Sequence, residues 1–143
     1  MVSHVLFLTR RAFGALRIER ARIDYPADGK TAETAIAAEL RAGDVPVRLT
    51  GDVGTTAAMD ENSWIAYGEK GALRLHNWYS LARRRGAGDW EAIDFGPGTD
   101  RQRSYMAQLD NLAAMLAGKP HPLATFREGL EVQRTVESLL AAR

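Results

Sequence analysis

The residues that could carry acid–base or metal chemistry are few and scattered. Three histidines, His4, His76 and His121, stand far apart, and none lies four residues from another or at the spacing of a zinc-ligand set. The sequence contains no cysteine, so thiolate nucleophiles, thiolate metal ligands and disulfides are excluded. We therefore expect no metal site in this chain.

Two glycine pairs are candidates for phosphate binding. Gly86-Ala87-Gly88 continues into Asp89 and Gly96-Pro97-Gly98 continues into Thr99, and neither completes the G-x-G-x-x-G pattern of a dinucleotide site. The P-loop and the G-x-S-x-G nucleophile motif are absent as well. Both pairs favour turns, and the sequence predicts no cofactor site of its own.

Neither the charge balance nor the aromatic residues indicate binding to nucleic acid. Nineteen basic and eighteen acidic residues leave a net charge of +1. This charge is too small to attract nucleic acid or an anionic membrane by long-range electrostatics. The run Arg83-Arg84-Arg85 could contact phosphates, but we interpret it as a solvated hairpin tip. A group of four aromatic residues favours core packing across a hairpin over a ligand platform: Trp64, Tyr67, Trp78 and Tyr79.

Length and composition predict one globular domain over residues 1–143. The chain is 45% hydrophobic and 26% charged, the balance of a folded soluble protein rather than a disordered one. Its longest apolar run, residues 5–8, is far shorter than the ~20 residues that span a bilayer. The basic pair Arg10-Arg11 follows that run instead of preceding it, unlike a signal peptide. We expect no membrane partner and a cytoplasmic protein.

The first third of the chain predicts a helix followed by strands. Ser3 is a candidate N-cap for a helix over residues 4–13, and Gly14 is suited to end it. Residues 16–25 alternate as a strand does, and the alternation changes phase near Arg20, which predicts a bulge. Residues 27–30 have the composition of a turn.

Residues 32–42 are ambiguous. Their alanines and glutamates favour a helix, but Gly43-Asp44 and the alternating residues 45–53 look like the turn and second arm of a hairpin, which requires a strand before it. We therefore predict a strand. A second hairpin is predicted between residues 63–67 and 72–78.

The remaining elements predict an α+β fold. Residues 83–88 are interpreted as a loop, and residues 90–95 as a further strand. One helix carries an apolar face from Tyr105 to Leu116, and another opens on a capping box formed by Thr125 and Glu128. Short connections imply an open, largely antiparallel sheet of five or six strands with helices packed on one face.

The order of three motifs resembles the C-terminal domain of the Gfo/Idh/MocA family, which includes glucose-fructose oxidoreductases and inositol dehydrogenases. The first is Ser3-His4 leading into Val5-Leu6-Phe7-Leu8 and Gly14. The second is Gly68-Glu69-Lys70-Gly71-Ala72-Leu73-Arg74-Leu75. The third is Gly118-Lys119-Pro120-His121-Pro122-Leu123, followed by Glu128-Gly129-Leu130-Glu131-Val132-Gln133 and Val136-Glu137-Ser138-Leu139-Leu140. The resemblance covers nearly the whole chain.

The resemblance implies that two domains of the enzyme have different roles. Members of the family have an N-terminal Rossmann domain that binds NAD or NADP, and a C-terminal open sheet that covers the nicotinamide and shapes the substrate pocket. This chain resembles the second part alone. His4 matches the family's proton-transfer histidine, but the aspartate expected four residues earlier would precede Met1, so the resemblance implies a chain that begins inside that motif. Without that aspartate and the cofactor domain, we expect His4 to be a helix-start residue that is non-functional in this chain. Trp64 is the substrate-facing candidate by family analogy, with core packing as its alternative role.

Three functions remain open from the sequence. The first is the substrate-binding and oligomerisation domain of an NAD(P)-dependent oxidoreductase acting on a sugar or polyol hydroxyl, catalytically inactive by itself and partnered by a Rossmann domain in cis or in trans. The second is a stand-alone binding or assembly module. Both predict a homodimer through the open sheet face. The third is a small enzyme built around His76 beside Trp78 and Tyr79.

Overall fold

A computed structural model describes residues 2–28, 30–53 and 61–142. The chain divides into two compact units, Met1–Ala58 with Ala124–Arg143 and Met59–Leu123. The elements in chain order are α1 (Val2–Phe13), β1 (Leu16–Asp24), β2 (Ala35–Ala42), β3 (Val45–Asp52), β4 (Ser63–Gly68), β5 (Gly71–His76), β6 (Ser80–Arg85), β7 (Glu91–Ala92), α2 (Asp100–Leu116) and α3 (Phe126–Ala141).

The first unit contains a three-stranded antiparallel sheet in the order β1-β2-β3. The ambiguous segment is a strand, as predicted, because it pairs along its length with both neighbours. The predicted bulge is also present. Ile18 pairs with Leu40 and Arg20 with Glu39, so Glu19 is the extra residue of β1. Gly29, in the predicted turn over residues 27–30, lies outside the described residues.

Helices α1 and α3 cover one face of this sheet. Their fully buried residues, with those of β2, form the core of the unit: Leu6, Ala38, Leu40, Val132 and Leu139. The face is apolar because side chains on β2 alternate, so Ala38 and Leu40 point the same way. Ion pairs join the two helices at their edge, where Arg10 contacts Glu131 and Arg11 contacts Glu128.

The ends of these helices follow local sequence rules, with one correction. The capping box of α3 is present as predicted, since the Thr125 hydroxyl accepts from the Glu128 N–H and the Glu128 carboxylate accepts from the Thr125 N–H. Helix α1 begins at Val2, so Ser3 lies inside the helix and is not its N-cap. Gly14 follows α1 at φ +107°, and its N–H donates to the Arg10 carbonyl.

The second unit contains a four-stranded antiparallel sheet in the order β4-β5-β6-β7, together with α2. The β4–β5 hairpin is close to its prediction, but β5 ends at His76, two residues earlier than expected. Asn77 and Trp78 both have positive φ, at 45° and 69°, and turn the chain into β6. Arg83-Arg84-Arg85 is therefore strand, and its interpretation as a solvated hairpin tip is wrong. The strand predicted over residues 90–95 is reduced to the two residues of β7.

The predicted fold class is confirmed. The fold is α+β with open antiparallel sheets, and in the first unit both helices lie on one face of the sheet. The described strands number seven and form two sheets of three and four, where the sequence predicts five or six strands in one. Within the described residues β3 pairs with β2 alone, and β4 starts a separate ladder with β5.

Candidate functional site

His4, the predicted proton-transfer residue, lies in the first turns of α1 in the first unit, and its side chain is exposed. Leu6 and Thr9 of the same helix are buried at 2% and 4% exposure, and the Thr9 hydroxyl donates to the Val5 carbonyl. The buried side anchors the helix against the core. The backbone that carries His4 is therefore held in place while the imidazole faces outward.

Trp64, the predicted substrate-facing residue, lies on β4 in the second unit and is half-buried. It is directly opposite Leu75 of β5, an aromatic–aliphatic cross-strand pair that stabilises a sheet face. The structure thus places Trp64 in a packing position. His4 and Trp64 belong to different units.

His76, the residue of the third candidate function, ends β5 and is half-buried. It pairs with Ser63 on one side and Ser80 on the other. The Ser80 hydroxyl donates to the Asp100 carboxylate at 3.3 Å. Trp78 belongs to the turn and not to a strand, so the three aromatic residues do not continue one strand face.

The glycine pairs do not form a dinucleotide site. Gly86 lies in the turn after β6 at φ +52°, and Gly96 and Gly98 precede α2 at φ +97° and +93°. A dinucleotide fingerprint joins a strand to a helix within a parallel β-α-β unit, whereas every strand pair in the described residues is antiparallel. The glycines and strands of the described residues therefore do not form a dinucleotide site of the Rossmann type.

Two shallow clefts occur in the described part of the chain. One, of about 500 Å³, lies between the Pro97-Gly98 turn and α2 and is lined by Arg103, Met106 and Asp110 among others. Arg103 is already bound there, because its guanidinium contacts the Asp100 carboxylate and the carbonyls of Gly96 and Gly98. The other cleft, of about 290 Å³, lies between β1 and α3. Neither is lined by two groups suited to acid–base catalysis.

Two carboxyl groups have a pKa below the ordinary value, and both act as structural acceptors. The hydroxyl of Thr31, together with backbone N–H groups of the same turn, lowers the pKa of Asp28. The backbone N–H and hydroxyl of Thr125 lower the pKa of Glu128, with a smaller contribution from Arg11. Hydrogen bonds to the charged form explain both directions.

A cluster of arginine and aromatic residues on the second sheet was not recognised from the sequence. We call Tyr67, Arg74, Arg84 and Trp90 the arginine–tryptophan cluster. The guanidinium carbons of Arg74 and Arg84 lie 4.6 Å and 5.0 Å from the centroid of the Trp90 ring, and that of Arg84 lies 6.0 Å from the Tyr67 ring. The signal that could have revealed it is the alternation of β5 and β6, which places Arg74 and Arg84 on one face once residues 80–85 are known to be strand.

Metal-binding and membrane-spanning features are absent from the residues that the structure describes. No three His, Asp or Glu side chains come together there as metal ligands. No described helix has the length and apolar character needed to cross a bilayer.

Comparison with solved structures identifies the fold. A dehydrogenase (MviM) from Clostridium difficile matches 99% of this chain with a TM-score of 0.76 and 12% sequence identity. A protein described as an oxidoreductase from Klebsiella pneumoniae matches 98% with a TM-score of 0.66 and 17% identity. The Bacillus subtilis protein yvaA, described in the same way, matches 97% with a TM-score of 0.65 and 18% identity.

These matches cover 46%, 45% and 48% of the respective proteins, so this chain spans about half of their length. The matched proteins are Gfo/Idh/MocA-type oxidoreductases. The chain has the fold expected of the C-terminal domain of that family, as the sequence motifs predicted. No protein-family model and no curated protein matches the sequence.

Proposed function

We propose that this chain is the substrate-binding and oligomerisation domain of a cytoplasmic NAD(P)-dependent oxidoreductase that acts on a hydroxyl group of a sugar or polyol. The observation that supports this proposal is the fold. Nearly the whole chain matches about half of each of three oxidoreductases. Because the matched region is one part of a larger enzyme in each structural neighbour, we expect this chain to supply one part of an enzyme's function.

The dinucleotide belongs to a different domain in this proposal. In support, the antiparallel ladders and the turn positions of the glycines in the described residues do not match a Rossmann-type dinucleotide site. We propose that a Rossmann domain, in the same polypeptide or in another chain, binds the dinucleotide. This chain alone is then catalytically inactive.

We assign His4 as the residue that accepts the proton of the substrate hydroxyl. An imidazole titrates near neutral pH and can take up a proton where an aliphatic hydroxyl is oxidised. The exposed position of His4 on an anchored helix leaves its imidazole accessible to a ligand. The alternative is an ordinary solvent-facing residue in the first turns of α1.

The role of His4 is tested in the enzyme assembled with its Rossmann domain. His4→Ala is expected to lower turnover by about 100-fold or more, the usual contribution of a general base. His121→Ala is the matched control, since this histidine is also exposed, and it is expected to retain activity. Equal activity of the two variants would remove His4 from the mechanism.

Substrate binding is tested on the chain itself. Titration with a polyol such as myo-inositol, followed by NMR, is expected to shift the Trp64 indole signal saturably. Trp64→Ala should abolish that binding, while Tyr105→Ala, which removes an exposed ring on α2, should leave it unchanged. A chain that shows no saturable polyol binding would contradict its role as a substrate-binding domain.

The proposed homodimer forms through the four-stranded sheet. Leu73 of β5 is 45% exposed, and the register places it on the same face as the half-buried Leu75 and Leu81. Contiguous exposed apolar surface is uncommon on a monomer and typical of protein–protein contacts. A second copy that packs on this face would bury Leu73 and lie beside Trp64, which shares the face through its pairing with Leu75.

A charge placed on that face tests the dimer. Leu73→Glu is expected to give a monomeric mass by light scattering at micromolar protein, because moving a carboxylate from water into an apolar interface is costly. Ile65→Glu is the matched control on the opposite face of the same sheet, at 37% exposure, and should remain dimeric. A monomeric unmodified chain would refute the dimer.

The alternative function, a stand-alone binding or assembly module, is favoured by the apolar surface of α2. No residue of α2 is buried, and its exposed side chains include Leu109 at 54% and Leu116 at 78%. This alternative predicts the same dimer without polyol binding. The polyol titration therefore separates the two functions.

A further inference from the structure

The arginine–tryptophan cluster concentrates positive charge on one face of the second sheet. Arg84 lies directly opposite Ala72 in the β5–β6 ladder, and Arg74 lies opposite Ala82. Both alanines are buried, at 7% and 8% exposure, while the two arginines are half-buried. The cross-strand neighbour of each arginine is thus a small side chain rather than another long one.

No protein carboxylate neutralises this charge within the described ranges. Neither Arg74 nor Arg84 forms an ion pair there. Glu91, on the neighbouring strand, accepts instead from Arg83 at 3.2 Å between Nε and Oε2. Arg83 alternates with Arg84 along β6, so that ion pair lies on the opposite face.

The cluster also holds donors without acceptors. The Nε atoms of Arg74 and Arg84 are buried from solvent and have no hydrogen-bond partner in this part of the structure. The Trp90 ring attracts a cation through its π face but offers only a weak acceptor for an N–H group. The ring therefore orients the guanidinium groups without satisfying their hydrogen bonds.

The two positive charges are close enough to reinforce each other. Both guanidinium carbons lie within 5.0 Å of one ring centroid, so they are at most about 10 Å apart, which is about the screening length at 0.1 M salt. An oxyanion placed beside them would relieve their repulsion and accept hydrogen bonds from the terminal Nη groups, which, unlike Nε, are not buried without a partner. Guanidinium forks match the geometry of phosphate oxygens, and two of them suit a dianion.

We infer that the arginine–tryptophan cluster binds the phosphate group of a small molecule. The site does not depend on the proposed oxidoreductase function or on His4. Nucleic acid is a poorer match, because the chain has a net charge of +1 and Arg83 is already paired. The exposed Tyr67 ring, at 71% exposure, borders the site and can pack against the organic part of a phosphate ester.

The direct test is an NMR titration of the full 143-residue chain, ¹⁵N-labelled, with inorganic phosphate and with glycerol 3-phosphate at constant ionic strength. The Nε–H signals of Arg74 and Arg84 are expected to shift saturably, while the signal of Arg83 stays in place. Tighter binding of glycerol 3-phosphate would identify a phosphate ester as the ligand, and equal binding would identify free phosphate. Both results support the site. The absence of a saturable shift, or an equal shift with chloride, would overturn it.

Variants of single arginines test whether phosphate binds at this cluster. Arg84→Gln is expected to weaken phosphate binding by about tenfold, the loss that accompanies removal of one charge-assisted hydrogen bond. Arg83→Gln is the matched control on the same strand and should leave the affinity unchanged. If circular dichroism shows that Arg84→Gln does not fold, Arg84→Lys replaces it, with a severalfold weaker affinity expected because lysine lacks the fork. Unchanged affinity in the folded Arg84 variant would overturn the assignment.

Discussion

The turn into β5 makes a sharp prediction about glycine. Gly71 begins β5 at φ +147°, a region that side-chain-bearing residues rarely adopt. A Cβ at this position would overlap the carbonyl oxygen of Arg84 and lie 3.1 Å from the Cα of Arg85. Both atoms belong to the backbone of β6, so the overlap cannot be relieved by rotating a side chain.

The magnitude follows from two contributions. Forcing alanine into this backbone conformation costs about 1–3 kcal/mol. Displacing the Arg84 carbonyl loosens the β5–β6 ladder, at about 1 kcal/mol for each hydrogen bond lost. We expect Gly71→Ala to destabilise the second sheet by about 3 kcal/mol, the middle of the range of about 2–4 kcal/mol that the two contributions give. The matched control is Gly86→Ala, where φ is +52° and no atom lies within 4 Å of the added methyl group, so the expected loss is only about 1–2 kcal/mol.

Hydrogen exchange measures this difference locally. A loss of 3 kcal/mol in the opening free energy of the sheet should speed exchange of the β4, β5 and β6 amides by more than about 100-fold. The amides of β1 and β2 in the other unit serve as the internal reference. Equal exchange rates in Gly71→Ala and Gly86→Ala would refute the steric argument.

Three further predictions concern the first unit. Leu40→Ala should lower the free energy of unfolding by about 2–5 kcal/mol, because Leu40 is 1% exposed. Urea denaturation measures this free energy. The control Leu116→Ala, at a side chain that is 78% exposed, should change the free energy of unfolding by less than about 0.5 kcal/mol. Thr125→Ala should destabilise α3 by about 1 kcal/mol through loss of its N-cap, seen as a lower urea midpoint, and an unchanged midpoint would contradict the cap. Because its pKa is lowered in the folded state, Glu128 should stabilise the fold above the unfolded-state pKa, and this contribution should disappear as the pH falls through the folded-state value. An acid titration of the urea midpoint should show a smaller loss in Glu128→Gln, and identical profiles would contradict the linkage.

Local patterns predicted most of the first unit, although the N-cap assigned to Ser3 was wrong. The strand over residues 35–42 was predicted against its helix propensity, because a hairpin partner on each side outweighs a weak local preference. The bulge at Glu19 was visible as a change in alternation, since one extra residue shifts every later side chain to the other face. The capping box of α3 needed no tertiary information.

The second unit shows where such patterns fail. Trp78 was assigned to a strand because an aromatic residue favours strands, whereas here it adopts a positive φ of 69° in a turn. That error removed β6 from the prediction and turned three strand arginines into a loop. Recognition of the arginine–tryptophan cluster depends on the β5–β6 register, so it was lost with the strand.

The candidate functional residues and the fold are supported by different kinds of evidence. His4 and Trp64 were named through a family resemblance, and their roles stay predictions. The fold expected from that resemblance is confirmed by solved structures. Sequence periodicity could not assign a substrate, because neither of the two clefts described above brings an acid and a base together.

The most direct measurement is calorimetric titration of the purified chain with NADH and NADPH, with the mass in solution recorded on the same sample. A substrate-binding and oligomerisation domain that relies on another domain for its dinucleotide should release no saturable heat and should have a dimeric mass. Saturable binding at micromolar affinity would contradict the account, because it would require a dinucleotide site within this chain. A monomeric mass would contradict the proposed assembly through the sheet.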